Sequence, residues 1–417
     1  MKPALPLPAL GALFVAAFTV SLAYGIALPV LPYLLERRLG PGADVAWHTG
    51  LLTGTYTLAL FLFAPLWGRL SDRWPRRTVI LIGMSGFTFS LLLFAFIDSL
   101  IALYLGRFLT GAFSAAVIPV SLALISDWAP DEDWRARRFA WLTVAGVSGF
   151  LLGPTIGGGV AQMWRSGMPP SGLPFLVSAA AAAVGSIGVW LAVPGAAQAK
   201  TGPAAIRRCA KDSPGLVSTM LLLAAIVSAG IGAFEVGLAL RAQQRLGLGP
   251  AEIGLMFTEC SLVMLIVQAV VFNPWVPARA TRWMIAPAFG ALALALALVP
   301  LTTGAAGMFV AVGLVAASAG IVSPILVFWV SLASGAAHGR ALGRQTAASS
   351  LGQALGSALG GLLFGLSVFP DGAFVVAAIA AGGASCLALR LPKRLAHLAP
   401  PKAHRPSLGR SRALRGS

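Results

Sequence analysis

Apolar runs of membrane-spanning length recur along this chain with short polar breaks between them. Twelve such runs fall near residues 9–33, 47–68, 78–97, 99–125, 138–162, 173–194, 215–240, 251–273, 283–302, 306–334, 341–367 and 371–391. A spanning helix needs roughly 20 apolar residues, so the pattern predicts an all-α integral membrane protein with twelve transmembrane helices. The first run is too long for a cleavable leader, contains Pro29 and Pro32, and is followed by eleven others. The one long polar break, residues 195–214 (GAAQAKTGPAAIRRCAKDSP), divides the helices six and six. Residues 1–194 and 215–392 therefore read as two six-helix halves, joined by that linker and followed by a tail over 393–417.

The halves repeat each other. The predicted fifth helix carries Gly149, Gly153, Gly157 and Gly158, and the predicted eleventh carries Gly352, Gly356, Gly360 and Gly361, the same spacing 203 residues later. Glycines four apart share a helix face and let a neighbour approach closely. Ordinary small-residue contact explains one such run; two at corresponding places indicate an internal repeat of the kind built into many secondary transporters. The break after the second run repeats only weakly. Phe272 to Ile285 aligns with Trp67 to Ile80, with Arg282 and Ile285 on Arg77 and Ile80, but Asn273 faces Gly68 and Pro277 faces Asp72.

Composition agrees with the membrane reading. The chain is 58% hydrophobic and 10% charged, with a mean hydropathy of +0.85, against about 25% charged for a soluble domain. The net charge of +17 invites a nucleic-acid reading, but its distribution excludes one. With both termini inside, 24 of the 30 Lys and Arg fall in cytoplasmic segments, 5 in external loops, and Arg107 inside a helix. That asymmetry orients the chain by the positive-inside rule. The tail, with Arg394, Lys402, Arg405, Arg410, Arg412 and Arg415, suits anionic lipid. Cys209, Cys260 and Cys386 make no disulfide or metal spacing, and His48, His338, His397 and His404 lie at helix ends or in the tail. No phosphate-binding loop suggests ATP hydrolysis, and no cofactor is expected.

Between the second and third runs, Gly68 to Arg77 (GRLSDRWPRR) compresses four arginines, an aspartate and a proline into one turn. Gly68, Leu70, Asp72, Arg73, Arg76 and Arg77 match a G-x-L-x-D-R-x-G-R-R/K pattern, with Pro75 at the usual glycine. The segment resembles the loop between the second and third helices of major facilitator superfamily transporters. Arg107 and Gly111 in LGRFLTGA are similar to that family's fourth-helix motif. Gly149-x-x-x-Gly153-Pro154-x-x-Gly157-Gly158 resembles its drug/proton antiporter motif. The resemblance implies twelve helices with cytoplasmic termini and alternating access, with Asp72 clasping a helix N-terminus of the other half to close the cytoplasmic side. It also implies a glycine face on the fifth helix that slides against the other half.

The intramembrane charges are few. Arg107 is costly in hydrocarbon and reads either as a proton-relay or coupling residue or as a structural ion pair or snorkelling side chain. Glu259, about nine residues into the eighth helix, and Glu235, late in the seventh and near the external surface, are the candidate proton carriers, with Glu259 the first choice. Each has a structural ion pair as its alternative. A central cavity drawn on Tyr24, Tyr56, Gln268, Phe328 and Trp329 is mostly apolar, which suits an amphipathic substrate. The expected function is proton-coupled efflux of such a molecule by a monomer in the plasma membrane (a bacterial inner membrane), with the substrate, protons and the bilayer as partners. The alternatives are proton-coupled uptake, or export of an endogenous metabolite or metal chelator. An enzyme would need clustered His, Asp, Cys or Ser at one depth, and a transport-incompetent sensor would show a decayed turn and glycine helices; neither pattern is present.

Overall fold

A computed structural model describes residues 4–40, 44–96, 99–163, 172–195, 214–271, 276, 280–333, 338–366, 369 and 371–396. Nearly all of the linker over 195–214, the tail beyond residue 396, Cys209, His397, His404, Asn273 and Pro277 lie outside the described residues. Among those described, all regular structure is helical. The order is α1 (Leu7–Leu39), α2 (Val45–Arg73), α3 (Arg76–Phe96), α4 (Leu100–Asp127), α5 (Glu132–Gln162), α6 (Leu173–Ala192), α7 (Pro214–Gln244), α8 (Pro250–Val271), α9 (Thr281–Leu298, extended by a 3-10 turn), α10 (Ala305–Ala333), α11 (His338–Gly365), α12 (Gly372–Ala388) and the short α13 (Leu391–Leu395). Ten of the described helices are long and apolar enough to cross a membrane, and α12 is a shorter apolar one.

Several helices outrun their apolar stretches. Apolarity decides where a helix can sit in lipid, whereas backbone hydrogen bonding continues until the chain meets a breaker. Thus α2 runs through the basic segment to Arg73, and only Trp74 and Pro75 are non-helical before α3 begins at Arg76. The segment expected as a ten-residue turn is a helix end, a two-residue break and a helix start. At the far end of α1, Gly40 stops the helix at φ +82°, and Gly247 stands just beyond α7 at φ +63°. Both glycines adopt a left-handed backbone that side-chain-bearing residues rarely take.

The two sets of six helices are built alike. Helix α5 lies along α1, and α11 lies along α7; α3 meets α4 and α6, and α9 meets α10 and α12. Arg38, at the end of α1, donates to the Phe94 and Ala95 carbonyls at 3.3 and 3.0 Å. In the second set Arg241 of α7 donates to Asp371 at 2.5 Å and to the Pro300 and Thr302 carbonyls at 2.8 Å. Cations in the last turn of a helix also face its negative dipole end.

The halves meet chiefly through α2 against α11 and α5 against α8. These seams lie toward the end marked by Gly40 and Gly247. Gly50 and Gly54, early in α2, meet Ala354, Ser357 and Gly361, late in α11; a Cβ on Gly50 would lie 2.6 Å from the Ser357 carbonyl oxygen. Gly254, early in α8, meets Pro154 and Gly158, late in α5. Near the same end Tyr33 donates to the Leu248 carbonyl and Gln243 to Glu36 at 2.6 Å. Thr155 and Thr258 share a hydrogen bond of 2.5 Å across the second seam.

Candidate functional site

Deep between the halves, three side chains from three helices form one polar node. Tyr24 of α1 donates its hydroxyl to Glu235 Oε2 at 2.8 Å. Gln353 of α11 donates its amide to the same oxygen at 3.1 Å and to the Tyr24 hydroxyl at 3.0 Å. Glu235 is 7% exposed. Burying a carboxyl is expensive unless its oxygens are hydrogen-bonded, and here the partners come from both halves. Its place in the node sets Glu235 well inside the bundle, opposite the middle of α1, deeper than its late position in α7 suggested.

An aromatic stack continues the node. Tyr24 stacks on Tyr56 of α2, centroids 5.1 Å apart, and on Phe150 of α5 at 5.9 Å. The Arg107 guanidinium lies over the other side of this stack, 5.0 Å from the Tyr56 centroid and 5.9 Å from that of Phe94. Tyr56 also receives a hydrogen bond from Ser114 at 3.2 Å. Arg107 is 2% exposed, and its Nε and Nη2 have no hydrogen-bond partner. The side chain does not snorkel to the bundle end; it stays inside, held by ring faces. A fixed cation and a carboxyl are thus joined through two stacked tyrosines.

The remaining expected residues divide. Glu259 of α8 is half-buried, and no hydrogen bond reaches its Oε2; it stands near Gly313 of α10. Gln268 and Phe328 are half-buried on α8 and α10. Trp329 is not a cavity wall. It is fully buried in the core of the second half and donates its indole N–H to Thr281 at 3.0 Å. A large aromatic late in an all-apolar helix reads the same in sequence whichever way it points, and adjacent residues on a helix face differently.

The basic segment is ion-paired within its own half. Arg76 donates to Asp127 at the end of α4 at 3.0 Å, to Ser71 at 2.6 Å and to Asp72 at 3.4 Å, and Arg77 donates to the Trp190 carbonyl at 2.5 Å. Asp72 is 65% exposed and its partner among the described residues is Arg76 of its own half. Gly68 and Arg73 lie in the last turns of α2, with open space beside Gly68 and the Arg73 side chain exposed.

The glycine motif also points elsewhere than expected. Gly149, Gly153 and Gly157 face α1 of their own half, where a Cβ on Gly153 would lie 2.6 Å from the Leu22 carbonyl oxygen. Gly158, about 100° further round the helix, meets α8 across the seam. On α11 the pattern recurs: Gly352, Gly356 and Gly360 face α7, and Gly361 meets α2.

One feature escaped the sequence reading. A cavity of about 210 Å³ is lined by Val327 of α10 and by Gln345, Thr346, Ser349, Ser350 and Gln353 of α11. These five α11 residues share a helix face, and the Gln–Ser–Gln spacing of four was the available sign. No group of three or more His, Cys, Asp or Glu able to hold a metal occurs among the described residues.

Comparison with known proteins supplies a lineage. The profile of the Major Facilitator Superfamily matches residues 13–338. The class B tetracycline resistance protein of Escherichia coli is 39% identical over 134 residues, 32% of this chain and 33% of that protein. Multidrug resistance protein 1 of Bacillus subtilis is 27% identical over 272 residues, 64% of this chain and 65% of that one. The first of these matches thus spans about a third of its relative and the second just under two thirds. Among solved structures, a bacterial homologue of the human lysosomal transporter Spinster, inward-facing and occupied, superposes with a TM-score of 0.74 at 15% identity, over 94% of this chain and 98% of that one. The human organic anion transporter MFSD10 gives a TM-score of 0.67 at 20% identity, over 91% and 99%. These two likenesses show the fold.

Proposed function

Because this chain belongs to the Major Facilitator Superfamily, whose members move small molecules across membranes, we propose that it is a proton-coupled exporter of an amphipathic compound. In this reading twelve helices cross the membrane with both termini in the cytoplasm. The end sealed at Gly50–Gly361 and Gly158–Gly254 is then external, and the chain is in an inward-open state. Export is supported by the names of its relatives, which are tetracycline and multidrug resistance proteins.

The observation that carries the proposal is the node of Glu235, Tyr24 and Gln353. Both donors end on one oxygen, Oε2, and a hydrogen bond to an ionised group is roughly twice as strong as a neutral one, so protonation weakens both by removing the charge. Proton uptake on Glu235 therefore weakens a link between α1, α7 and α11, which is what a coupled carrier needs between its outward and inward states. Glu235 replaces Glu259 as first choice because its hydrogen bonds join the two halves. One charge crossing 100 mV supplies about 2.3 kcal/mol, enough to drive uphill export. Asp72 and Arg76 act at the cytoplasmic end once it closes.

The test is accumulation of an amphipathic fluorescent dye in inside-out vesicles under an inwardly acidic gradient. Accumulation should vanish with a protonophore and with Glu235→Gln, and persist at reduced rate with Glu259→Gln. Gradient-driven accumulation by Glu235→Gln at the unmodified rate refutes the role of Glu235.

A further inference from the structure

The repeat that relates α5 to α11 also pairs residues of opposite chemistry. At an interval of 203 residues, Gln345, Thr346, Ser349, Ser350 and Gln353 of α11 correspond to Leu142, Thr143, Gly146, Val147 and Phe150 of α5. One copy offers two amides and three hydroxyls. The other offers one hydroxyl among apolar groups. At the node itself the correspondence is direct, since Gln353 hydrogen-bonds to Tyr24 while Phe150 stacks on its ring. The α11 face borders the 210 Å³ cavity. Gln345, which lines it, is 4% exposed, and its Oε1 has no hydrogen-bond partner. A buried amide oxygen without a donor is uncommon and costly, so a donor supplied from the cavity would relieve it.

Building on the transport reading above, we propose that the α11 face is a hydrogen-bonding subsite that holds the polar edge of the transported molecule. The molecule it fits carries hydroxyl or N–H donors along one edge, with an apolar part beside Val327. From Gln345 to Gln353 the acceptors span roughly 12 Å along the helix, so several donors in a row can be read. Besides Glu235 at its inner end, the acceptors on this face are uncharged, so the subsite reads donors without demanding a net positive charge. Gln353 ends the row and also binds Glu235, which puts the occupied edge one hydrogen bond away from the carboxyl.

The experiment measures binding to the detergent-solubilised full chain with two fluorescent probes, a polyhydroxylated anthraquinone and its fully O-methylated counterpart. Binding needs no gradient, so this result is separable from failure of proton coupling. The unmodified protein should prefer the hydroxylated probe. Gln345→Leu and Ser349→Ala should each weaken that probe about five- to tenfold while leaving the methylated probe within about twofold, and Gln345→Asn should restore part of the loss. Elution as a single species on gel filtration checks that each variant is folded. No preference in the unmodified protein, absence of binding of either probe, or an equal loss for both probes in Gln345→Leu overturns the proposal.

Discussion

Helices α5 and α11 are two copies of one element that have kept their seams and parted in their walls. Each carries three glycines against the first helix of its own half and a fourth against the other half. Where backbones touch, only the absence of a side chain is tolerated, so the spacing is unchanged between the copies. Where the copies face the space between the halves, nothing holds them alike. One retains Phe150 and apolar neighbours, and the other has Gln353 and a polar face. Contact constrains geometry, whereas a cavity leaves chemistry open to selection.

The seam should be the more fragile part. A Cβ on Gly356 would lie 2.7 Å from the Ala229 Cα, and one on Gly153 2.9 Å from the Gly25 Cα. Overpacking typically costs about 1–3 kcal/mol, and more when backbone is hit. Gly356→Val and Gly153→Val should each reduce dye export by on the order of a hundredfold and lower the thermal unfolding midpoint. Gly159→Val, with open space beside it, should stay within about twofold. Equal tolerance at all three sites would remove the distinction between seam and wall.

Exchanging the two walls is the next largest effect. Gln353→Phe removes two hydrogen bonds, one to a carboxylate, and a hydrogen bond to a charged group contributes about 1.5–3 kcal/mol. Gradient-driven export should fall roughly tenfold or more. Phe150→Gln removes a stack worth about 0.5–1.5 kcal/mol, so export should fall about threefold. If the second substitution is the more damaging, the apolar wall carries more of the coupling than the node does.

The smallest effect belongs to the basic segment after α2, which the second half lacks in acidic form. Arg76 is nearly buried and bonds to Asp127, Ser71 and Asp72, whereas Asp72 is mostly exposed. An exposed pair contributes about 0–1 kcal/mol. In thermal unfolding Arg76→Gln should be clearly destabilised and Asp72→Asn nearly unchanged, with any defect of the latter confined to transport rate. A large loss of stability in Asp72→Asn would mean that its pair with Arg76 has a structural weight out of proportion to its exposure.

Much of the architecture was legible because lipid imposes it. Apolar runs of spanning length, arginines at the breaks and glycines four apart each follow from local constraints that need no knowledge of neighbours. The repeated glycines marked α5 and α11 as equivalent, and Gly50–Gly361 and Gly158–Gly254 show the same equivalence in contact. The candidate site was legible only in part. Arg107, Glu235, Tyr24 and Tyr56 were visible as rare polar or aromatic residues inside apolar helices, yet nothing in their order along the chain joined them.

What the sequence determined alone is an all-helical membrane protein of this superfamily, since hydropathy and motif spacing are properties of short stretches. Rotation and depth were decided by the tertiary structure. It turned Trp329 into the core, aimed three motif glycines at α1, kept Arg107 inside beneath Tyr56, and made Glu235 rather than Glu259 the carboxyl that joins the halves. A helix of mostly apolar residues carries little record of which face meets protein and which meets lipid. That choice is made by close contact with helices hundreds of residues away.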